Sequence, residues 1–306
     1  MPDSTTPQPN EHRFRIAQAI GIVVLCAAAF AALNLSNAAP ARGPVAATST
    51  PQIAVTGASA VLIDLTTGET VFAKNADAQL PIASITKLFT VAAVSEVLPE
   101  DAIVRVTDGA VSRGEGGLGP GEEWRMRDLS DYTLIISSNV GAEALAEAAD
   151  PYFTLYRSES RPTVARMNAL SRELGLARTY FLNASGLDVS PTQASAMSSA
   201  RDVALFMKYL YTRTDLYSGT TERSGSFKPL NADTLYAENT NDAIPDIPGL
   251  IFGKTGFTDL AGGTLAVLFE LGPGRPYAAV VLGSTREARF DDMRSLIALA
   301  RGNGLR

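Results

Sequence analysis

The chain has 306 residues, with 26 basic and 32 acidic side chains and a net charge of -6; it carries no basic run of the kind that follows a phosphate backbone, so nucleic acid is not an expected partner. Its single cysteine, Cys26, lies inside an N-terminal apolar stretch, and its single histidine, His12, lies in the polar tail before it. The remainder therefore has no thiol or imidazole to act as nucleophile, base or ligand, which excludes a Ser-His-Asp triad, a disulfide framework and a His/Cys metal site. No metal or other cofactor is expected, and a serine here must be activated by a lysine, a carboxylate or a tyrosine.

In chain order, residues 1–15 read as a cytoplasmic tail, followed by an apolar run from Ile16 to Leu33 broken only by Gln18 and Gly21. The run is near the lower limit for a spanning helix and longer than a signal-peptide core, so 16–36 is read as a transmembrane anchor. Arg13 and Arg15 precede it and no charge follows until Arg42, a bias that places the C-terminal part on the extracytoplasmic side of a single-pass cell-membrane protein. Cleavage after Ser36-Asn37-Ala38 is the competing reading and would make the protein secreted. Residues 37–56, rich in Ala, Pro, Ser and Thr, have linker composition, and 57–306 are read as one catalytic domain.

That domain opens with two apolar β-favouring runs between Ala58 and Lys74, flanking Thr66-Thr67-Gly68-Glu69 as a hairpin. Apolar positions at helical spacing then predict helices over Ile82–Val97, Leu129–Ala148, Thr163–Leu174 and Ser199–Tyr211, the last opening with the cap-like Ser199-x-x-Asp202. Strands are predicted at Gly249–Gly256, Gly263–Leu271 and Pro276–Gly283, and a closing helix at Asp291–Ala300. Strands at both ends of a helical block imply an α+β fold whose mostly antiparallel sheet is assembled from distant segments.

Three short motifs lie on this frame. Ser84-Ile85-Thr86-Lys87 stands at the start of the first helix, where positions three apart share a face and a lysine of depressed pKa could take the serine proton. The helix N-terminus would add partial positive charge near a developing oxyanion. The pattern alone is loose enough to arise about once by chance in such a chain. Ser137-Ser138-Asn139 falls at a helix junction and offers a hydroxyl that can relay protons and an amide that can hold a carbonyl, although both are also ordinary cap residues. Lys254-Thr255-Gly256 lies in a strand, where lysine can depress a neighbouring lysine and attract a carboxylate, and glycine lets a substrate backbone approach the edge.

Together and in this order, the three motifs resemble the active-site set of β-lactamases and penicillin-binding proteins. Leu62-Ile63-Asp64, Leu80 to Lys87, Asn183-Ala184-Ser185-Gly186-Leu187, Asn239-Thr240-Asn241 and Gly253 to Thr258 are similar to the D-alanyl-D-alanine carboxypeptidases among the low-molecular-weight penicillin-binding proteins. The resemblance implies the penicillin-binding, β-lactamase-like fold, an antiparallel sheet with a helical cluster. It also implies a serine hydrolase acting on peptidoglycan stem peptides, with β-lactams as covalent inhibitors. Ser84 would be the nucleophile, Lys87 its base, and Ser137 with Lys254 the route of the proton to the leaving amine. Asn139 would position the substrate and Thr255 bind its carboxylate, with Gly256 at the strand edge, and the N–H groups of Ser84 and Phe257 would form the oxyanion hole. Arg289 stands where a further carboxylate-binding arginine is implied; a surface arginine opening the last helix is the other reading. A D,D-endopeptidase using the same residues stays open, as does an inactive peptidoglycan-binding scaffold. A class A β-lactamase is disfavoured, because Glu173 is followed four residues on by Ala177 and reads as an exposed helix residue.

Overall fold

The computed structural model describes residues 53–212 and 216–303. The tail, the run at 16–36 and most of the linker lie outside the described residues; among those described, no helix is long and apolar enough to cross a membrane.

Five strands form the main sheet: β1 (Ser59–Asp64), β2 (Thr70–Lys74), β3 (Leu250–Thr258), β4 (Gly262–Glu270) and β5 (Pro276–Ser284). Their order is β3-β4-β5-β1-β2, antiparallel throughout, so the N-terminal hairpin joins the C-terminal meander through β1 and β5, with Ser59 opposite Leu282 and Asp64 opposite Tyr277. The hairpin closes where expected: the Asp64 carboxylate accepts from the N–H of Thr66, and Gly68 takes the left-handed conformation the turn requires.

Seven α-helices are described: α1 (Thr86–Ser95), α2 (Asp108–Ser112), α3 (Met126–Ile136), α4 (Asn139–Ala149), α5 (Pro162–Glu173), α6 (Ala200–Tyr211) and α7 (Ala288–Asn303). Side chains alternate across a strand, and here both faces of the sheet are apolar. Leu265, Val267 and Phe269 of β4 pack with Met293, Leu296 and Ile297 of α7, whereas Ala266 and Leu268 face the core shared with α1 to α6. In that core Phe89 of α1 stacks on Phe206 of α6 with ring centroids 3.6 Å apart. Ser199 caps α6 as its spacing predicted, its hydroxyl accepting from the Asp202 N–H.

One boundary differs from the sequence reading in a way that matters for the site. The segment expected to be helical from Ile82 begins as a 3-10 turn over Ala83–Ile85 and becomes α-helical only at Thr86. Ala83 has φ +46°, a left-handed value that an alanine adopts at a cost and that an α-helix cannot pass through. The pattern over Leu129–Ala148 divides into α3 and α4 at the junction expected at Ser137-Ser138-Asn139, with Ser137 left-handed (φ +67°) between them.

Candidate active site

The 3-10 turn and α1 set Ser84 and Lys87 on one side of the segment, as their spacing requires. The Lys87 side chain is 0 % exposed, and its ammonium has three partners: it donates to Ser84 Oγ at 2.7 Å, Asn139 Oδ1 at 2.7 Å and the Ser185 carbonyl at 2.8 Å. An ammonium has three donors, so this shell is full. Of the three oxygens only Ser84 Oγ carries a proton of its own. When Lys87 loses a proton, its two remaining N–H groups stay on the carbonyls, and the new lone pair faces the serine hydroxyl. Burial drives the loss: it lowers the pKa of Lys87 to about 7, against an opposing pull from Glu143.

Asn139 and Ser185 are themselves held by the chain around them. Asn139 is the first residue of α4; Ser138 caps that helix by accepting from the Gly141 N–H, and donates to the Gly116 carbonyl. The Glu115 carbonyl accepts from the N–H groups of Asn139 and Val140, so the glycine loop at 114–117 clasps the helix start from outside. A Cβ on Gly116 would lie 2.2 Å from Ser138 Oγ, which is why that contact needs glycine. Ser137 is half-buried at the junction and makes no side-chain hydrogen bond among the described residues. Ser185 sits in a turn fastened by Asn183, which accepts from the Gly186 N–H and donates to the Leu187 carbonyl.

The third motif lies on β3, the sheet's edge strand, whose open side faces the 3-10 turn. A Cβ on Gly256 would stand 2.9 Å from the Ser84 backbone nitrogen and 2.4 Å from Thr264 Oγ1, so glycine is what lets the strand pass so close to the serine. Lys254 is buried and donates to the Thr255 carbonyl at 2.9 Å. Burial holds its pKa well below the usual lysine range, and the charges of Lys87 and Arg289 push it the same way. Thr255 Oγ1 lies 2.5 Å from Thr240 Oγ1, and Phe257 follows at the rim with the Arg286 guanidinium 3.8 Å above its ring.

Arg289 opens α7 near its start, but it is not a surface arginine: it is 5 % exposed and donates to the Gly256 carbonyl at 2.7 Å. Its Nε has no partner, and burial lowers its pKa to about 10. The structure thus gathers Ser84, Lys87 and Asn139 by direct hydrogen bonds, with the β3 motif at the serine's other side. Glu173 is exposed and tied to Arg166, as the argument against a β-lactamase base required. Three parts were not anticipated: the Ser185 carbonyl, Thr240, and the buried Glu143. Asn183 to Leu187 and Asn239 to Asn241 did stand out in the sequence, but as resemblance without assigned tasks. Among the described residues no group of three or more acidic, histidine or cysteine side chains could hold a metal ion.

The family model for D-alanyl-D-alanine carboxypeptidase matches residues 45–286. The chain is 31 % identical over 262 residues to D-alanyl-D-alanine carboxypeptidase DacF of Bacillus subtilis, covering 82 % of this chain and 64 % of that protein. It is 30 % identical to the D-alanyl-D-alanine endopeptidase of Pseudomonas aeruginosa, over 78 % of this chain and 75 % of that one. Among solved structures, penicillin-binding protein D2 of Listeria monocytogenes in its ampicillin-bound form superposes with a TM-score of 0.67 at 28 % identity, covering 82 % of this chain and 99 % of that one. With the family model spanning most of the domain and the fold shared, the chain belongs to the D-alanyl-D-alanine carboxypeptidase family.

Proposed function

We propose that the protein is a serine-type carboxypeptidase that releases the terminal D-alanine of peptidoglycan stem peptides through an acyl-enzyme on Ser84. The observation that carries this reading is the buried, fully coordinated Lys87 with its one protic partner at Ser84 Oγ. Neutral Lys87 takes the Ser84 proton as Oγ attacks the carbonyl between the two D-alanines. Charge on the carbonyl oxygen is met by the N–H groups of Ser84 and Phe257. The C–N bond breaks, the proton taken up by Lys87 passes by way of Lys254 and Ser137 to the departing amine, and the free D-alanine leaves. Water, losing its proton to the same base, then attacks the ester and restores the Ser84 hydroxyl. Thr255, beside Thr240, receives the terminal carboxylate; Asn139 orients the acyl side; and the edge of β3 accepts the substrate backbone as an added strand. β-Lactams would acylate the same serine.

We assign residues 16–36 to a membrane anchor that carries the catalytic domain on the extracytoplasmic side, on the strength of the apolar run and its flanking charges. The full-length chain should stay with membranes after a high-salt wash and be released only by detergent, whereas a soluble chain beginning near residue 39 would overturn the anchor.

Fluorescent penicillin tests the chemistry: the wild type should be labelled covalently and Ser84→Ala not at all, and an unlabelled wild type would sink the mechanism. Product analysis then separates the two peptidase readings. Free D-alanine from a pentapeptide supports the carboxypeptidase. Cleavage of cross-linked muropeptides alone supports the endopeptidase, the activity in the name of the Pseudomonas relative.

The acylation rate should also depend on pH. Only neutral Lys87 accepts the serine proton, and its pKa is about 7, so the second-order rate constant should rise through pH 7 and fall about tenfold per unit well below it. A rate independent of pH between 5 and 8 would contradict Lys87 as the base.

A further inference from the structure

We infer that Glu143 is a positioning residue for the reaction, a buried carboxylate that balances the positive charge around Lys87 from one turn along the helix that carries Asn139. The inference rests on Lys87 acting as the base. Residues four apart share a helix face, so Glu143 stands behind Asn139, whose Oδ1 accepts from Lys87. The other inward positions of α4 are small or aliphatic (Val140, Ala142, Ala144, Leu145, Ala146), yet Glu143 is only 1 % exposed. A carboxylate at such a place is costly to bury unless it is paired. The pairing is made: Arg161, from the residue before α5, bonds Oε2, and Arg113, from the edge of the glycine loop, places Nε 3.4 Å from the same oxygen while its other arm bonds Glu147.

The surroundings explain why an anion is needed. The strand side brings Lys254, whose pKa burial and the neighbouring charges hold low, and behind it from α7 the buried guanidinium of Arg289. The other elements packed on α1 contribute little net charge beside Lys87. Arg166 of α5 is bound to Glu96 and Glu173 at the far end of α1, and Arg127 and Asp131 of α3 are paired with each other. Glu115 is exposed on the glycine loop, and Asp188, beyond Ser185, accepts from the Leu260 N–H. Glu143 is thus the buried anion on the Lys87 side, and its pull opposes the desolvation that strips the proton from Lys87. The two arginines hold it in place and moderate that pull.

Charge sign separates this role from simple packing. Glu143→Gln leaves Arg113 and Arg161 uncompensated, so Lys87 should lose its proton at lower pH. Arg113→Gln, at a side chain 42 % exposed and therefore tolerant of change, strengthens the anion and should move Lys87 the other way. The measurement is the second-order rate of labelling by a fluorescent penicillin between pH 5 and 9, each variant normalised to its own plateau. At pH 5.5, Glu143→Gln should retain about threefold to tenfold more of its plateau rate than the wild type, and Arg113→Gln less, as displacements of about half to one pH unit require. Acid limbs that coincide with the wild type, or that move in the same direction in both variants, overturn the inference. If Glu143→Gln does not fold, the upward displacement in Arg113→Gln decides alone. A wild type without any acid limb would instead overturn Lys87 as the base.

Discussion

Methionine in place of Lys87 is expected to slow acylation of Ser84 by about 10²- to 10⁴-fold, the usual worth of a positioned base, while leaving the protein at least as stable as the wild type. The two effects share one cause. Lys87 is completely buried and its proton is lost near pH 7 instead of near 10.5, so folding either buries a charge or strips a proton. Methionine has similar length, packs in the same space and carries no charge. Because the folded-state pKa lies below the unfolded value, the burden of lysine is full at and below pH 7 and disappears as pH climbs towards 10.5. The stability advantage of Lys87→Met should therefore be greatest in neutral and acid solution and shrink in alkali. Against this gain stands the loss of a partner for Asn139 Oδ1 and the Ser185 carbonyl. Thermal melts at pH 6 and pH 10, alongside penicillin labelling, test both halves. A variant that labels like the wild type would remove Lys87 from the chemistry, and one that fails to fold at pH 6 would contradict the origin assigned to its low pKa.

Gly186→Ala should be nearly as damaging to acylation, through geometry and not chemistry. Gly186 has φ +79°, and a Cβ there would lie 2.0 Å from the Ala83 carbonyl oxygen and 2.7 Å from Thr86 Oγ1. The new methyl group meets backbone, which cannot swing aside as a long side chain would. Left-handed strain of about 1 kcal/mol or more and overpacking of about 1–3 kcal/mol add up to a variant expected to melt several degrees lower. Relief requires the 183–187 turn to back away from the segment 83–86. That motion withdraws the Ser185 carbonyl from Lys87 and releases the strained Ala83 that sets Ser84. A shift of about 1 Å in such a constellation can cost about 10²-fold in rate. Labelling at the wild-type rate in a folded Gly186→Ala protein would show that the turn does not hold the lysine.

The sequence carried the hairpin, the helix at Ser199 and the closing meander because their signals are local: a turn with glycine, a cap and alternating apolar residues. It also carried the three motifs, since their order along the chain matched a known family. What it could not carry was burial. Nothing around Lys254 in the sequence marked it as buried, and Arg289 read equally well as a surface residue, because exposure depends on which segments arrive from elsewhere; both proved covered. Glu143 sits in a run of alanines with nothing nearby to distinguish it from Glu147, which is less buried. Only Arg161, which directly precedes α5, sets it apart. The 3-10 start at Ala83 escaped notice for a related reason: its left-handed residue is an alanine, which gives no local hint of positive φ.

The pairing of β1 with β5 has a consequence in time. Ser84 emerges early in synthesis, but the strand that runs beside it, β3, follows only after residue 249, and β5, which locks the hairpin into the sheet, later still. Contacts that span more than two hundred residues close slowly, and a chain made from its N-terminus must wait for them. The nascent protein thus carries its nucleophile for most of its length without the edge beside it, and cannot acylate prematurely. A chain truncated before Pro276 should fail as a catalyst although every motif residue is present.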